Sequence, residues 1–318
     1  MTPPQPIPPG DRLVVLRPST RRRVGKIYTP TTTGWTRRKL PRHRHFSTEV
    51  VSLPAELESL YSLLHRVLED DTAFLLRDAP SKSPVGRLRR LGESFPDRAS
   101  RFLVLDFDGV PLAELGLQPG DWVPGEQDER IAEAVRRRYL PEPFHRAPAI
   151  AVLSASTGWR RIGPDRYEPT RTPSEVSLHL WFILDRPVEG SVLRSWCRLL
   201  ADRGAPVDAN LYNQVQPIYC GAPGIAGPLP PSAPPLLHTP GLRLLPLPGE
   251  SGGWAGGEAD RVPASAVLSA LAELPSAPRS APPSAPKQTR AVMAAAGSDE
   301  HLRKRLEGSA RGALRKAL

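Results

Sequence analysis

The sequence predicts a mixed α/β or α+β fold built around a largely antiparallel sheet. Three observations lead there. Short apolar runs at 102–108, 149–153 and 176–184 have strand character. The segments 54–70, 126–140 and 190–202 carry apolar residues at helical spacing. Strands and helices alternate only loosely, without the regular βαβ repeat that a parallel sheet requires.

Residues 1–45 are basic and rich in Pro and Thr, with Arg21-Arg22-Arg23, Arg37-Arg38-Lys39 and Arg42-His43-Arg44-His45. They read as an N-terminal arm, either solvated or laid along phosphate backbones. The first helix opens on Pro54 and sets Leu57, Leu60, Tyr61, Leu64, Val67 and Leu68 on one side. A short apolar run at 72–76, ending at Arg77, reads as a strand. The run FLVLDFD at 102–108 is the strongest strand of the chain. A charged helix at 126–140 has Ile131, Ala132, Val135 and Tyr139 on its apolar side. The strand at 149–153 is followed by SASTG, 154–158, a loop. In the strand at 176–184, Leu178, Leu180, Phe182 and Leu184 form one wholly apolar face; Ser177, His179, Trp181 and Ile183 form the other. The helix at 190–202 buries Val192, Leu193, Trp196, Leu199 and Leu200 and stops at Gly204. Asp208 follows in a turn-rich segment, and 216–220 reads as a short strand. The main domain is thus expected at 46–246. A Pro/Ser/Ala-rich linker at 247–290 carries a weak helix at 263–274, and 291–318 is a basic helical segment that ends as the opening of a further domain would.

Composition narrows the partners. Apolar residues are 39% of the 318, enough for a sizeable core. The net charge is +10, which permits an anionic partner such as nucleic acid. Only six of the 43 basic residues are lysine, so codon bias explains the basicity equally well. Cys197 and Cys220 stand far apart and no Cys/His cluster has zinc spacing, so no zinc is expected. Two lone cysteines, an N-terminus MTPPQPIPPG without signal-peptide character, and no apolar run of membrane-spanning length predict a cytoplasmic protein with no membrane partner.

The chemistry starts at Asp106 and Asp108. Residues two apart on a strand share a face, so both carboxylates leave one side while Leu105 and Phe107 turn to the core. Side by side they repel, and a divalent cation between them removes that penalty. Hard oxygen donors suit Mg²⁺ or Mn²⁺. An acidic strand end closed by Gly109 is the structural alternative. Ser177 and His179 share a strand face as potential phosphate donors, or as surface polar groups. Asp208, after Val207, adds a third carboxylate in a turn.

Taken in order, Asp-x-Asp, Ser-x-His and an apolar residue followed by Asp resemble the catalytic motifs of the archaeo-eukaryotic primase superfamily. The strings RFLVLDFDGV, SASTG, VSLHLWFILDRPV and VDANLYNQVQPIY are similar to the primase-polymerase domains of bacterial plasmids, phages and integrated mobile elements. The resemblance covers roughly residues 46–245. It implies an RRM-like sheet joined to a smaller αβ unit, and a DNA primase or polymerase that makes or extends primers on single-stranded DNA. Asp106, Asp108 and Asp208 would hold two Mg²⁺ or Mn²⁺ ions. Ser177, His179 and Arg171 would contact the phosphates of an NTP or dNTP. Arg37, Arg38, Arg77, Arg160 and Tyr219 are the candidate contacts to template and primer; Trp159 and Trp181 are further stacking candidates. Arg161 and Arg186 also flank the motifs. The basic residue that some relatives carry beside Ser-x-His is replaced here by Leu180 after it and Glu175 before it. No GxxxxGK[ST] string occurs, so a replicative helicase partner would lie on another chain or in a further C-terminal part.

Two other readings compete. VLDFDGV resembles the first motif of haloacid-dehalogenase-type phosphatases, yet no lysine occurs between Asp108 and Lys287, and the later acidic motif of that chemistry is missing. A non-enzymatic replication initiator would use the same basic surface without needing the acidic face.

Overall fold

The computed structural model describes residues 12–20, 23–39, 45–53, 56–77, 88–89, 94–213, 215–250 and 261–272. The chain divides into a unit ending at Glu273 and a second, Leu274–Leu318, that falls outside the described residues. The expectations for 1–11, for most of the linker and for the basic terminal segment lie there too.

The fold is α+β, with largely antiparallel sheets and flanking helices. Its centre is a four-stranded antiparallel sheet of β7 (Ser100–Pro111), β8 (Ala149–Leu153), β11 (Glu175–Val188) and β13 (Leu244–Leu247), in the order β13-β8-β11-β7. Leu103, Val104 and Leu105 are all fully buried, as are Leu178, Leu180, Trp181 and Phe182, so this sheet is covered on both faces. Continuous apolar runs rather than strict alternation follow from that double cover. Helices α1 (Leu57–Glu69), α2 (Asp128–Tyr139), α4 (Gly190–Asp202) and α6 (Ala264–Ala272) pack against it; α3 (Glu142–Arg146) brings Phe144 against Phe182 and Trp196, at ring separations of 5.1 Å each. The short α5 (Pro235–His238) packs Leu237 on the aromatic cluster described next. No helix among the described residues is long and apolar enough to cross a membrane.

Within the N-terminal stretch, expected as an arm, the described residues from Arg12 include four strands. β1 (Arg12–Pro18), β4 (His45–Ser52), β5 (Phe74–Leu76) and β6 (Leu88–Arg89) form a second antiparallel sheet, in which Leu13, Val14, Val15 and Leu16 are fully buried. β2 (Lys26–Thr31), β3 (Gly34–Lys39), β9 (Trp159–Arg161), β10 (Arg166–Pro169) and β12 (Gly224–Ile225) form a third, in the order β12-β2-β3-β10-β9. Its inner face is aromatic: Tyr28 stacks on Trp159 at 3.9 Å, with Trp35 and Tyr167 beside them. Of the arginines that suggested a solvated arm, Arg38 faces outward from β3, while Arg37 shares the aromatic face and lies over the Tyr167 ring, so charge hid the strand pattern. The expected boundary at 46 therefore cuts through β4. The core also extends past 246: Val262, Ala264 and Val267 are fully buried, and the Val262 N–H donates to Ile183 O at 2.9 Å.

Asp128 opens α2 buried, accepting from Trp122 Nε1 at 2.7 Å and from the Gly125 N–H at 2.9 Å. Burial pushes its carboxyl up to about 6, against the pull of those donors. A carboxyl raised in the folded state favours folding while it stays protonated. This contribution is therefore lost as pH rises from the ordinary carboxylate value of 3.8 through about 6. Asp128→Asn keeps an acceptor for Trp122 and removes the titration. The variant should be more stable than wild type by about 2 kcal/mol at pH 7 and by little at pH 4. Urea denaturation at the two pH values measures this; an equal difference at both rules out the buried carboxyl as its cause.

Candidate functional site

Five of the sequence-predicted residues meet on one face of the central sheet. β11 pairs His179 with Asp106 and Leu178 with Phe107. On the other side of β7, Phe107 bridges Val207; the Asp208 N–H donates to Asp106 O at 2.8 Å and the Asp108 N–H to Pro206 O at 3.0 Å. Directly opposed residues of an antiparallel pair point to the same face. His179, Asp106 and Asp208 therefore stand in one row across three chain segments. A register shift between Val176 and Leu178 sets Ser177 next to Asp108 in the following row, where Gly109 takes a left-handed φ of 69°. Leu105 and Phe107, on the opposite face, are fully buried. The period-two reading of Asp-x-Asp thus agrees with the strand geometry.

Each carboxylate is held by one oxygen. Asp106 Oδ1 faces His179 Nε2 at 3.3 Å, Asp108 Oδ1 accepts from Ser177 Oγ at 2.9 Å, and Asp208 Oδ1 accepts from the Asn210 N–H at 2.8 Å. No hydrogen bond engages their second oxygens among the described residues. Ser177 Oγ also accepts from the Gly109 N–H at 2.9 Å, which fixes the turn beside Asp108. His179 is buried. Burial opposes its charge, but the Asp106 carboxylate outweighs burial and pushes the imidazole up to about 10, helped by the Cys220 thiol. Burial likewise opposes ionisation of Asp106, and the opposed charge of His179, with Lys26 further away, holds its carboxyl below the usual range. At neutral pH the pair is imidazolium and carboxylate.

The donor set is hard oxygen on a partly open face, which fits Mg²⁺ or Mn²⁺ in kind. Among the described residues, no three His, Cys, Asp or Glu side chains are gathered closely enough to hold an ion as they stand. The three carboxylates share one face of the sheet without forming such a cluster.

Other predicted residues lie elsewhere. Arg171 is exposed and paired with Glu126 at 2.9 Å, outside the row. Arg77, expected to meet nucleic acid, is instead buried: it pairs with Asp97 at 2.9 Å and lies 4.6 Å over the Tyr212 ring, so it ties α4's entry to the core. Arg37 lies 4.7 Å over Tyr167 on the inner side of the third sheet. Arg38 and Arg160 are exposed on its outer side with Arg166; Arg160 donates to Glu168 at 2.7 Å. Trp159 and Trp181 are buried core residues and present no stacking face. Tyr219 is 44% exposed, rests on Phe74 at 5.5 Å and immediately precedes Cys220. Sequence reasoning missed Cys220 and Lys26 as neighbours of the His179–Asp106 pair. Neither carries a local signal, because both reach the site through strand and loop placement far along the chain.

Comparison with family models, with curated proteins and with solved structures gives no match for this chain.

Proposed function

We propose that this chain is a metal-dependent primase-polymerase, a nucleotidyltransferase acting on single-stranded DNA with NTPs or dNTPs. One observation carries the proposal: Asp106, Asp108, Asp208, Ser177 and His179 share a single face of the central sheet. Asp106, Asp108 and Asp208 would hold Mg²⁺ or Mn²⁺ through their free oxygens. When bound, the metals activate a primer 3′-hydroxyl and stabilise the leaving pyrophosphate. The Asp106 carboxylate favours the protonated imidazole of His179, and an imidazolium beside the carboxylates would donate to a phosphate oxygen by exchanging its contact with Asp106. Ser177 holds Asp108 in place and can donate to a phosphate only by exchanging that bond. The arginines Arg38, Arg160 and Arg166 on the outer face of the third sheet, with exposed Tyr219, supply the phosphate and stacking contacts that a template strand needs without base-specific readout.

The test is nucleotide incorporation on single-stranded DNA, with and without primer, in Mg²⁺ and in Mn²⁺, for wild type and Asp108→Ala. Template-dependent product from wild type alone is the expected result, and the unprimed lanes tell primase from extender. No product from wild type, with equal DNA binding by both proteins, moves the assignment to a non-enzymatic initiator.

A further inference from the structure

Arg243 ends a short 3-10 turn, Pro240–Arg243, directly before β13, and its side chain is completely buried. Its Nη1 donates to the carbonyls of Ser154 and, at 3.4 Å, Leu153; among the described residues Nε and Nη2 have no partner. Burial lowers its pKa to about 10, with Tyr28 and Asp128 opposing that shift through space, so the guanidinium is charged at neutral pH. Arg136, also buried, differs: it bonds Ala147 O at 2.7 Å and pairs with Glu133. A desolvated cation without a bonded carboxylate is costly to bury, and an apolar side chain of similar volume would serve packing better. Arg243 therefore calls for a role beyond filling its space.

Its two acceptors open the 154–158 loop, and the loop leads to the site. The Ser154 N–H and Thr157 Oγ1 both donate to Ser177 O, at 2.8 Å each. Ser177 Oγ donates to Asp108 Oδ1 and accepts from the Gly109 N–H, at 2.9 Å each. An unbroken chain of hydrogen bonds thus runs from the buried guanidinium, through the loop, to the exposed carboxylate. We infer that Arg243 is a positioning residue for the catalytic face, anchoring the 154–158 loop so that Ser177 and Asp108 hold their places. The inference rests on the proposed polymerase reading for its consequence, while the anchoring itself is readable without it.

The experiment compares full-length wild type, Arg243→Lys and Arg243→Met by peptide-level hydrogen exchange and by single-nucleotide incorporation kinetics. In Arg243→Met, peptides covering 153–158 and 106–110 should exchange about tenfold faster, while those in α1 and at 180–184 keep their protection. The kcat should fall about 10- to 100-fold with a smaller change in KM. Arg243→Lys, whose ammonium can still donate to Ser154 O, should recover part of both. Unchanged exchange at 153–158 in both variants overturns the inference, as does a uniform rise that includes α1 and 180–184, the mark of a residue that only stabilises the fold. If Arg243→Met does not fold, the same comparison on Arg243→Lys decides, with local loss at 153–158 and 106–110 expected. A wild type that incorporates no nucleotide overturns the polymerase reading alone, since exchange is measured without nucleotide.

Discussion

Asp106→Asn is expected to lose both nucleotide incorporation and several kcal/mol of stability, whereas Asp108→Asn is expected to lose incorporation alone. Both carboxylates point from the same face of β7, and on the proposed reading either loss would remove a metal donor. The metal's share of transition-state stabilisation is several kcal/mol, so incorporation should drop about 10³-fold in each variant. Their surroundings differ. Asp106 is 26% exposed and faces a His179 side chain that is 7% exposed. Removing one partner of such a pair strands the other, at a cost of about 3 kcal/mol. Asp108 is exposed and, among the described residues, its side chain accepts from Ser177 alone, a bond an Asn oxygen also accepts, so its loss should cost under about 0.5 kcal/mol. The pH dependence follows from the directions of the shifts. The raised His179 contributes stability fully below 6.5 and loses it as pH rises through about 10. The lowered Asp106 contributes above 3.8 and loses it as pH falls through its depressed folded value. The gap between wild type and Asp106→Asn should thus be widest between about pH 4 and 6.5 and close towards pH 10. Thermal or urea unfolding across pH, with Mn²⁺ titration alongside, measures all of this. Equal stability for the two variants would mean that the His179–Asp106 pair does not form in solution.

The candidate face was legible because its motifs sit on strands whose pattern is local. Alternation alone turned Asp106 and Asp108 away from Phe107, and helical spacing located α1, α2 and α4 to within a few residues of their ends. The row of His179, Asp106 and Asp208 is a different matter. It depends on β11 and the 207–208 segment flanking β7 on opposite sides, a pairing that no periodicity encodes. The N-terminal strands escaped for another reason. In β3, Trp35 and Arg37 share the buried side, and Arg37 reaches that side by lying on the Tyr167 ring rather than by losing its charge. A pattern built on hydrophobicity scores such an arginine as solvent-facing. Arg77 misled in the same way, since a cation over Tyr212 and against Asp97 looks from sequence like any surface arginine. Arg243, fully buried beside apolar β13, gave no sign at all.

Phe107→Ala should destabilise the fold by about 4 kcal/mol, because the ring is fully buried between neighbours that are themselves packed. Its neighbours are Leu178 across one strand pair, Val207 across the other bridge, and Tyr139 at a ring separation of 5.8 Å. The ring is also what gives the two flanking aspartates their direction. A strand residue anchored in the core fixes the outward face of the residues on either side. Phe107→Leu keeps that anchor with less volume and should cost about 1.5 kcal/mol, with incorporation largely retained. Phe107→Ala should reduce incorporation even well below its unfolding midpoint, since the carboxylates lose their fixed separation while both remain present. Urea denaturation with an unchanged m-value, read beside incorporation at low temperature, separates these effects. A cost near zero for Phe107→Ala would contradict the seating of β7 between β11 and the 207–208 segment, and with it the alignment on which the proposed site depends.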